Sequence, residues 1–562
     1  MAQDTNSPEN LTKRYKSRRQ ALINERNTFE PIWRDVRDFF GPRTARFSGE
    51  QTNKGDRQDD KIINSSPRYA VRALAGGMQS GITSPLRPWF KLSSGDPNLN
   101  ELEPVKFWLS DVERIMREVL SKSNFYNVMK TAYGGLGLYG TSAVAIEKDQ
   151  EDIVRFHYYP IGSYSIACDH TGRVRTVYRD FKRTAEQMEQ AYGDKVSDQV
   201  KVAMRNGNYD QWFDVCQIIE PNRYAKPGSL LSRDKKISSV HLDPMAGDGA
   251  NGILRQSGFD SMRVLVPRWD ILGEDIYGTG CGEIALGDGK QMQLMEKRKL
   301  QGIDQNVRPT MLADASMRNQ RSSINPGETV YVNGLITGNP GFRPAYQVNP
   351  YINELREELM RVENRVDEAF FKNLFLMVSE FADQPNITAT QINMLREEKL
   401  MMLGPVLERL NDELLDPVID IVFTELLDRG MIPPPPEELQ GKPLRVEYIS
   451  VLAQAQKALG IGNIERFVGF VGNLAAADPR VLDKVDFDQA VDEYADGVGV
   501  APRIVRSDEA VEQIRKQREQ REQAQQAVAA APMVTQAAKN LSDASLDSNN
   551  VLAALSGAGG NV

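Results

Sequence analysis

A heptad pattern of apolar residues between positions 352 and 369 constrains this chain more than any other feature. Gaps of 3, 4, 3, 4 and 3 residues separate its six members, which are Ile352, Leu355, Leu359, Val362, Val366 and Ala369. This spacing places them on one stripe of an α-helix that packs along a second helix. Asn349-Pro350 is typical of a cap followed by proline at the first helical position. The sequence therefore predicts a long helix over 350–375.

Two helical runs enclose a stretch that is rich in turn residues. The first run is polar and covers 287–304, and the second is the heptad helix. Between them, turns at 325–327, 333–334 and 338–340 bracket a strand at 328–332. This order predicts a helical hairpin with a small β-rich lobe at its tip. An ordinary pair of core helices is the alternative.

A third long helical region follows the heptad helix. It begins at a capping box, Thr388 with Gln391, and ends at the prolines of 433–436. Gly404-Pro405 and Asp416-Pro417 predict kinks within it. Further on, the sequence predicts a strand at 444–450, a smaller helical region to about residue 503 and a charged helix at 507–528. The Ala-, Ser-, Gly- and Asn-rich end from Thr535 onward predicts disorder.

Two glycine motifs imitate nucleotide-binding loops. In 76–83, GGMQSGIT, the glycine spacing fits a P-loop, but Ile82 occupies the lysine position. Apolar residues at 71, 74, 75, 78 and 82 predict a helix through this stretch, which Pro85 and Pro88 stop. In 135–140, GLGLYG, a predicted helix at 112–133 precedes the motif and a predicted strand at 142–149 follows it. That order is the reverse of a dinucleotide fold, so both motifs are interpreted as packing or turn glycines.

Composition argues against several functional classes. Asp and Glu outnumber Lys and Arg by 77 to 69, for a net charge of −8, whereas proteins that grip DNA tightly are usually basic. The three cysteines lie far apart and predict reduced thiols in an intracellular protein. No zinc-site spacing or nucleophile elbow occurs, and no apolar run reaches the ~18 residues that span a membrane. No catalytic residue, cofactor or metal site is therefore predicted.

Four stretches occur in an order and spacing that is typical of one protein family. They are ALAGGMQSGITSPLRPWFKL at 73–92, PRWDILGEDIYGTG at 267–280, VRPTMLAD at 307–314 and ITATQINMLREEKLMMLGPVLERL at 387–410. Over most of residues 10–430 the chain resembles the portal, or head-to-tail connector, proteins of short-tailed bacteriophages. Thr279 and Cys281 depart from the Tyr-Gly-Arg-Gly-Pro that is typical of the family, so the contacts of this loop do not follow from the resemblance.

The resemblance implies an α+β, mainly helical portal-type fold. Its subunits would assemble into a ring, typically of twelve, around a channel for double-stranded DNA. The implied parts are the first part of a wing (1–285), stem helix 1 (286–305), a β-rich clip (306–348), stem helix 2 (349–375), a channel loop (376–387), a kinked wing helix (388–436), a helical crown (437–505) and a C-terminal helix with a disordered tail (506–562).

Candidate site residues follow from these parts. The channel loop is expected to face DNA through Ser379, Glu380, Phe381, Asp383 and Gln384, because acids repel phosphate and an aromatic ring presses on a duplex without gripping it. A plain surface turn is the alternative. The heptad helix is expected to form the stem interface through Ile352, Leu355, Leu359, Val362 and Val366. In the clip, the implied contacts with the packaging motor and the tail adaptor are Arg308, Arg318, Arg321 and Tyr331.

The function implied by the resemblance is structural. The ring would form the channel at a capsid vertex through which DNA is packaged and ejected, and it would join head to tail. Implied partners are further copies of the chain, double-stranded DNA, the terminase large subunit, tail adaptors, and the major capsid and scaffolding proteins. The implied location is the virion, with host cytoplasm during assembly and no membrane. Rival hypotheses are a scaffolding or adaptor protein that forms no ring, and a packaging ATPase or nuclease.

Overall fold

The computed structural model describes residues 8–47, 57–96, 99–100, 102–247, 252–307, 311–313, 342–344, 352–375, 402–441, 444–448, 466–475, 478–498, 506 and 511–522. The chain divides into two compact units, Met1–Gln456 and Lys457–Val562. Helices and strands occur together in the first unit, so the predicted mixture of α and β structure is confirmed.

The helices of the first unit range in length from a single turn to 33 residues. They are α1 (Pro8–Phe40), α2 (Ser66–Ile82), α3 (Glu103–Lys122), α4 (Phe125–Tyr139), α5 (Ala185–Tyr192), α6 (Asp198–Arg205), α7 (Cys281–Ile284), α8 (Leu286–Val307), α9 (Ile352–Ala369), α10 (402–410) and α11 (Asp416–Asp428). A π-helical turn, Asn411–Leu415, joins α10 to α11. The described helices of the second unit are α12 (466–475), α13 (Phe487–Val498) and α14 (511–522).

The strands of the described residues form four antiparallel sheets. They are β1 (Phe90–Ser93), β2 (Ala143–Lys148), β3 (Val154–Tyr159), β4 (Tyr164–Cys168), β5 (Val174–Thr184), β6 (Trp212–Pro221), β7 (Ile237–Leu242), β8 (Ile253–Phe259), β9 (Val264–Leu265), β10 (Met311–Ala313), β11 (Phe342–Pro344) and β12 (Arg445–Tyr448). The largest sheet is a meander of β4 to β8 in chain order, and a smaller sheet has the order β3-β2-β9. The remaining ladders pair β1 with β12 and β10 with β11.

Helix α1 joins two apolar cores of the first unit. Near its C-terminus, Trp33 and Phe40 lie in a large cluster that includes residues of α2, α3, α4 and α9. Near its N-terminus, Tyr15 and Leu22 pack on one face of the five-stranded sheet. Polar contacts add to this packing, because Arg19 pairs with Asp180 of β5 at 2.8 Å. A single amphipathic helix therefore fixes the large sheet to the helical body.

Sequence patterns predicted some boundaries and missed others. Helix α2 ends at Ile82 before the two prolines, and strands β2 and β12 lie inside the segments predicted for them. The helix predicted at 112–133 is wrong, because α3 ends at Lys122 and α4 begins at Phe125. At this break the backbone amide of Phe125 donates to Ser123 Oγ at 3.2 Å, which gives one amide at the start of α4 a partner. Strand β12 lies in the predicted crown but pairs with β1 of the predicted wing.

The glycines of GLGLYG are not a loop but the C-terminal part of α4. A Cβ on Gly137 would lie 2.1 Å from Leu74 Cδ2, so the missing side chain lets α2 approach closely. Only Gly140 fits the predicted turn, since it caps α4 with a left-handed φ of 67°. A Cβ on Gly140 would lie 2.2 Å from the carbonyl oxygen of Gly278. The end of α4 is thereby pressed against the 267–280 loop.

The π-helical turn lies where the sequence predicted a kink at Asp416-Pro417. Pro417 has no backbone N–H, so it cannot donate to the carbonyl of Glu413. A widened turn accommodates that missing hydrogen bond. The carboxylate of Glu413 accepts hydrogen bonds from the backbone amide of Arg268 at 2.8 Å and from its Nε at 3.1 Å. The kinked helix is thus held to the 267–280 loop by a bidentate contact.

Substitution of Gly140 by alanine should destabilise the protein strongly. The left-handed φ costs an L-residue about 1–2 kcal/mol, and overlap with Gly278 adds about 1–3 kcal/mol. Gly172→Ala is the matched control, because Gly172 has a φ of 79° and a Cβ there would meet nothing within 4 Å. Calorimetry should show a clearly larger drop in unfolding temperature for Gly140→Ala. Equal drops would show that the contact with Gly278 is unimportant.

Candidate assembly site: the helical hairpin and its base

Helices α8 and α9 form an antiparallel hairpin. Arg365, near the end of α9, donates from Nε to Asp288 Oδ1 at 2.9 Å, close to the start of α8. It also donates from Nη2 to Gln291 Oε1 at 3.4 Å. Beyond the other ends of the two helices, β10 pairs with β11, so that Met311 lies opposite Pro344. The chain therefore leaves through one helix, forms a β-ladder and returns through the other.

The heptad stripe of α9 is largely covered within one chain. Val362 is 0% exposed and Val366 is 1% exposed, while Leu359 is buried at 8%. These three residues share an apolar cluster with Leu74 of α2 and Met292 of α8. A fully covered side chain has no surface left for a second subunit, so the structure places this part of the stripe inside the chain and not on its surface. Leu355 is half-buried, and the side chain of Ile352 lies outside the described part, so the stem interface itself stays a prediction.

Polar contacts join the hairpin to the segment before α2. Gln293 of α8 is buried, and its Oε1 accepts from the backbone amides of Ile63 and Asn64 at 2.7 and 2.8 Å. Its Nε2 donates to the carbonyl oxygen of Asn64 at 2.9 Å. On the other helix, Glu363 accepts a hydrogen bond from the Ser66 hydroxyl. One short stretch of chain therefore fixes both helices of the hairpin.

Gly77 lets the end of the hairpin lie directly on α2. A Cβ on Gly77 would lie 2.1 Å from Cγ of Phe375, whereas a Cβ on Gly76 would meet nothing within 4 Å. Phe375 is buried and follows Phe371, whose φ is 52°. Both glycines lie inside α2, and the Thr83 hydroxyl, which is buried, contacts the Tyr133 hydroxyl at 3.1 Å. The P-loop likeness therefore reflects helix packing, since the amides that would cradle phosphate are used inside a helix.

The two residues that depart from the family motif lie in or beside the core. The Thr279 amide donates to the carbonyl oxygen of Asp270 at 2.8 Å and closes the 267–280 loop. Cys281 is 1% exposed at the start of α7. Burial raises the pKa of its thiol to about 12, so the thiol stays protonated at neutral pH. Cys281 thus packs as a small apolar residue rather than as a nucleophile.

An apolar stripe of the hairpin remains uncovered in the single chain. Leu300, Ile303 and Val307 are 49%, 39% and 71% exposed, and their spacing of three and four residues places them on one face of α8. The run at 287–304 is polar on average, so this stripe was not predicted from the sequence. The signal was present in the i, i+3, i+7 spacing near its end.

The remaining predicted site residues lie outside the described part of the chain. They are Ser379, Glu380, Phe381, Asp383 and Gln384 of the channel loop, and Arg308, Arg318, Arg321 and Tyr331 of the clip. Within the described ranges, no group of three or more His, Cys, Asp or Glu side chains is placed to hold a metal ion. None of the helices described above combines the length and apolarity that a membrane crossing requires.

Comparison with known proteins gives matches along nearly the whole chain. A sequence profile described as bacteriophage head to tail connecting protein matches residues 12–505. The portal protein of Salmonella phage epsilon15 is 42% identical over 541 residues, which are 96% of this chain and 97% of that protein. The probable portal protein of Bordetella phage BPP-1 is 39% identical over 501 residues, 89% of this chain and 90% of that protein.

Two solved structures show distant similarity. A chain from the neck of an empty gene transfer agent particle aligns over 78% of this chain and 96% of its own length, with 12% identity and a TM-score of 0.35. A chain from the virion of a native gene transfer agent particle aligns over 74% and 93%, with a TM-score of 0.30. Scores of this size support no statement about a shared fold.

The two adjacent glycines of α2 provide a matched test of how the hairpin rests on its base. Gly76→Ala should be neutral or stabilise the protein by up to about 1 kcal/mol, since alanine favours a helix interior. Gly77→Ala should destabilise it by about 1–3 kcal/mol, because Phe375 must move away. Unfolding temperatures of the two variants would be compared by calorimetry. A Gly77→Ala protein that melts like Gly76→Ala would contradict the described contact.

Proposed function

Because this chain belongs to the family of bacteriophage head-to-tail connecting proteins, we propose that it is the portal subunit of a phage particle. Copies of the chain form a ring at one capsid vertex, double-stranded DNA passes through its channel during packaging and ejection, and the ring joins head to tail. The observation that carries this proposal is the 42% identity to a portal protein over 96% of this chain. A structural role without catalysis is part of the proposal.

The parts of the subunit follow the order of the chain. Residues 1–285 with 388–436 form the wing, α8 and α9 form the stem, and residues 306–348 form the clip. The clip meets the terminase large subunit during packaging and the tail adaptor afterwards, through Arg308, Arg318, Arg321 and Tyr331. The 376–387 segment lines the channel, residues 437–505 form the crown, and the capsid and scaffolding proteins contact the outer parts of the ring.

The uncovered stripe of α8 supplies one side of the ring contact. A ring needs two different patches on each subunit, because each copy meets its neighbour head to tail. Leu300, Ile303 and Val307 are apolar, exposed and arranged on one helix face, so burial against a neighbour would remove them from water. The buried part of the heptad stripe serves a different purpose, since it holds α9 to α8 and α2 within each copy.

The charge of the chain suits a channel that lets DNA slide. Each phosphate neutralised by Lys or Arg adds affinity, and strong affinity would slow movement. A net charge of −8 opposes such binding over the protein as a whole. Glu380 and Asp383 extend this repulsion into the channel loop, and Phe381 adds an uncharged contact.

Rival functions make different demands on the molecule. A packaging ATPase needs a phosphate loop, but residues 76–82 are helical and isoleucine replaces the lysine. A scaffolding or adaptor protein that forms no ring has no repeated head-to-tail contact in which the exposed stripe of α8 would be buried. The mass of the assembly distinguishes this last rival from a portal.

Charge placed on the α8 stripe should break the ring. The variant Leu300→Lys with Ile303→Lys should dissociate into monomers or small oligomers, because lysine cannot be buried unpaired at an apolar contact. The matched control is Gln301→Lys with Gln305→Lys, which adds the same charge on the other, exposed side of the helix. Native mass spectrometry should show whole multiples of the 63.0 kDa chain in a closed ring for wild type and control only. Intact rings of the stripe variant would refute this contact.

Shortening of the channel loop tests the DNA path separately from assembly. Removal of residues 380–384 should leave the number of subunits per ring unchanged, because neither helix of the hairpin is altered. Phage heads carrying the shortened protein should package less DNA or lose packaged DNA. The DNA content of purified heads, measured by gel analysis, gives the result. Heads that fill and retain full-length DNA would show that 376–387 is a plain surface turn.

A further inference from the structure

The arginines on the two sides of the β4–β8 sheet differ in whether an acidic side chain pairs with them. On the face covered by α1, Arg14 pairs with Glu220 at 3.0 Å and Arg19 pairs with Asp180 at 2.8 Å. Side chains alternate between the faces of a strand, so Arg179 and Arg183 of β5 lie on the opposite face from Asp180. Arg179, Arg183 and Arg255 have no ion-pair partner among the described residues, whereas Arg175 at the start of β5 lies 3.5 Å from Asp169.

A polar row crosses the sheet on this second face. The register aligns Arg179 with Gln217, Gln217 with His241, and His241 with Arg255, on β5, β6, β7 and β8 in turn. Four neighbouring strands span about 14 Å, at about 4.8 Å between strands. The row lies between two apolar clusters. One contains Val177, Ile219, Ile237 and Tyr159, and the other contains Val215, Tyr192 and Phe181.

Aromatic rings hold the arginines of β5 in place. The guanidinium carbon of Arg179 lies 3.7 Å from the ring centre of Tyr159. That of Arg183 lies 5.4 Å from the ring centres of both Phe181 and Tyr192. Arg255 is exposed. Among the described residues, no carboxylate oxygen lies within 4.0 Å of these three guanidinium groups. The nearby Glu147 lies 3.5 Å from Nε2 of His157, a contact that is an ion pair only when the histidine is protonated.

His241 lies in the row as a neutral hydrogen-bonding group. Its Nδ1 is 2.7 Å from the Tyr192 hydroxyl. Burial lowers the pKa of His241, the nearby arginines Arg255, Arg183 and Arg179 add to this effect and Glu147 opposes it, so that the pKa falls to about 4. Burial also raises the pKa of Tyr192, so its hydroxyl keeps its proton. When that hydroxyl donates to Nδ1, the imidazole proton lies on Nε2 and is a further donor for an anion.

We propose that this row, together with Arg183 on the same face of β5, binds the carboxylates of an acidic peptide segment from a partner protein. Arginine binds carboxylate through two parallel hydrogen bonds, and rings that fix the guanidinium reduce the ordering needed. Four or so extended residues at about 3.3 Å each would span the distance from Arg179 to Arg255, and Gln217 between them is buried. A short carboxylate-bearing segment fits better than duplex DNA, because the row is only about 14 Å long and an extended peptide needs no larger surface.

Calorimetric titration of the full assembled protein with a terminally blocked hexaglutamate peptide tests the proposal. Wild type should bind one peptide per chain. Arg183→Gln with Arg255→Gln should weaken binding at least tenfold. The matched control, Lys226→Gln with Lys236→Gln, removes the same charge from exposed lysines of the β6–β7 connection and should change affinity less than twofold. Arg255→Gln alone should weaken binding at least threefold. Because Arg255 is exposed, this single variant keeps the test valid if the double variant misfolds.

Three outcomes would overturn the proposal. They are the absence of saturable peptide binding to wild type, equal weakening in the lysine control, and a 12-base-pair duplex that binds more tightly than the peptide and depends on Arg183 and Arg255. The last result would assign the row to nucleic acid. Native mass spectrometry of the same variants should show unchanged rings, so that failure here is separable from failure of the proposed ring.

Discussion

The first unit depends on one buried arginine that joins segments far apart in the sequence. Arg268 is 4% exposed and binds Glu413 through its backbone amide and side chain. Its Nη2 also donates to the carbonyl oxygen of Gly172 at 2.8 Å. The backbone of Arg268 forms an isolated antiparallel β-bridge with Thr141. Loss of one member of a buried ion pair costs about 3–5 kcal/mol, because the other charge stays buried. The kinked helix, the large sheet and the end of α4 are thus fixed to one point.

Close backbone approach around that point explains why the chain is rich in glycine motifs. Gly140 meets Gly278, and Gly77 meets Phe375 at the end of the hairpin. Nucleotide loops also need glycine, because phosphate must approach the backbone. Here the approaching group is another part of the same chain, so the likeness to phosphate loops has a packing origin. These contacts hold the α8–α9 hairpin on α2, and the proposed ring of hairpins would need such a base.

Local sequence patterns predicted an element correctly where one apolar stripe defines a helix or one proline ends it. Prolines after Ile82 end α2, and the heptad spacing of α9 yields a helix with a buried stripe. The spacing alone did not show which helix covers the stripe, because a helix of the same chain and a helix of a neighbouring copy would require the same apolar pattern. The break between α3 and α4 was missed because apolar spacing continues across Ser123-Asn124. The pair Arg268–Glu413, 145 residues apart, and the Arg179–His241–Arg255 row depend on contacts and register that periodicity does not encode.

The ring with an axial channel is the central claim, and cryo-electron microscopy of the purified protein tests it most directly. The account predicts a closed ring with an opening wide enough for a DNA duplex, and α8–α9 hairpins arranged around that opening with Leu300, Ile303 and Val307 against the neighbouring copy. Isolated monomers or dimers, or rings whose hairpins point away from the axis, would contradict it.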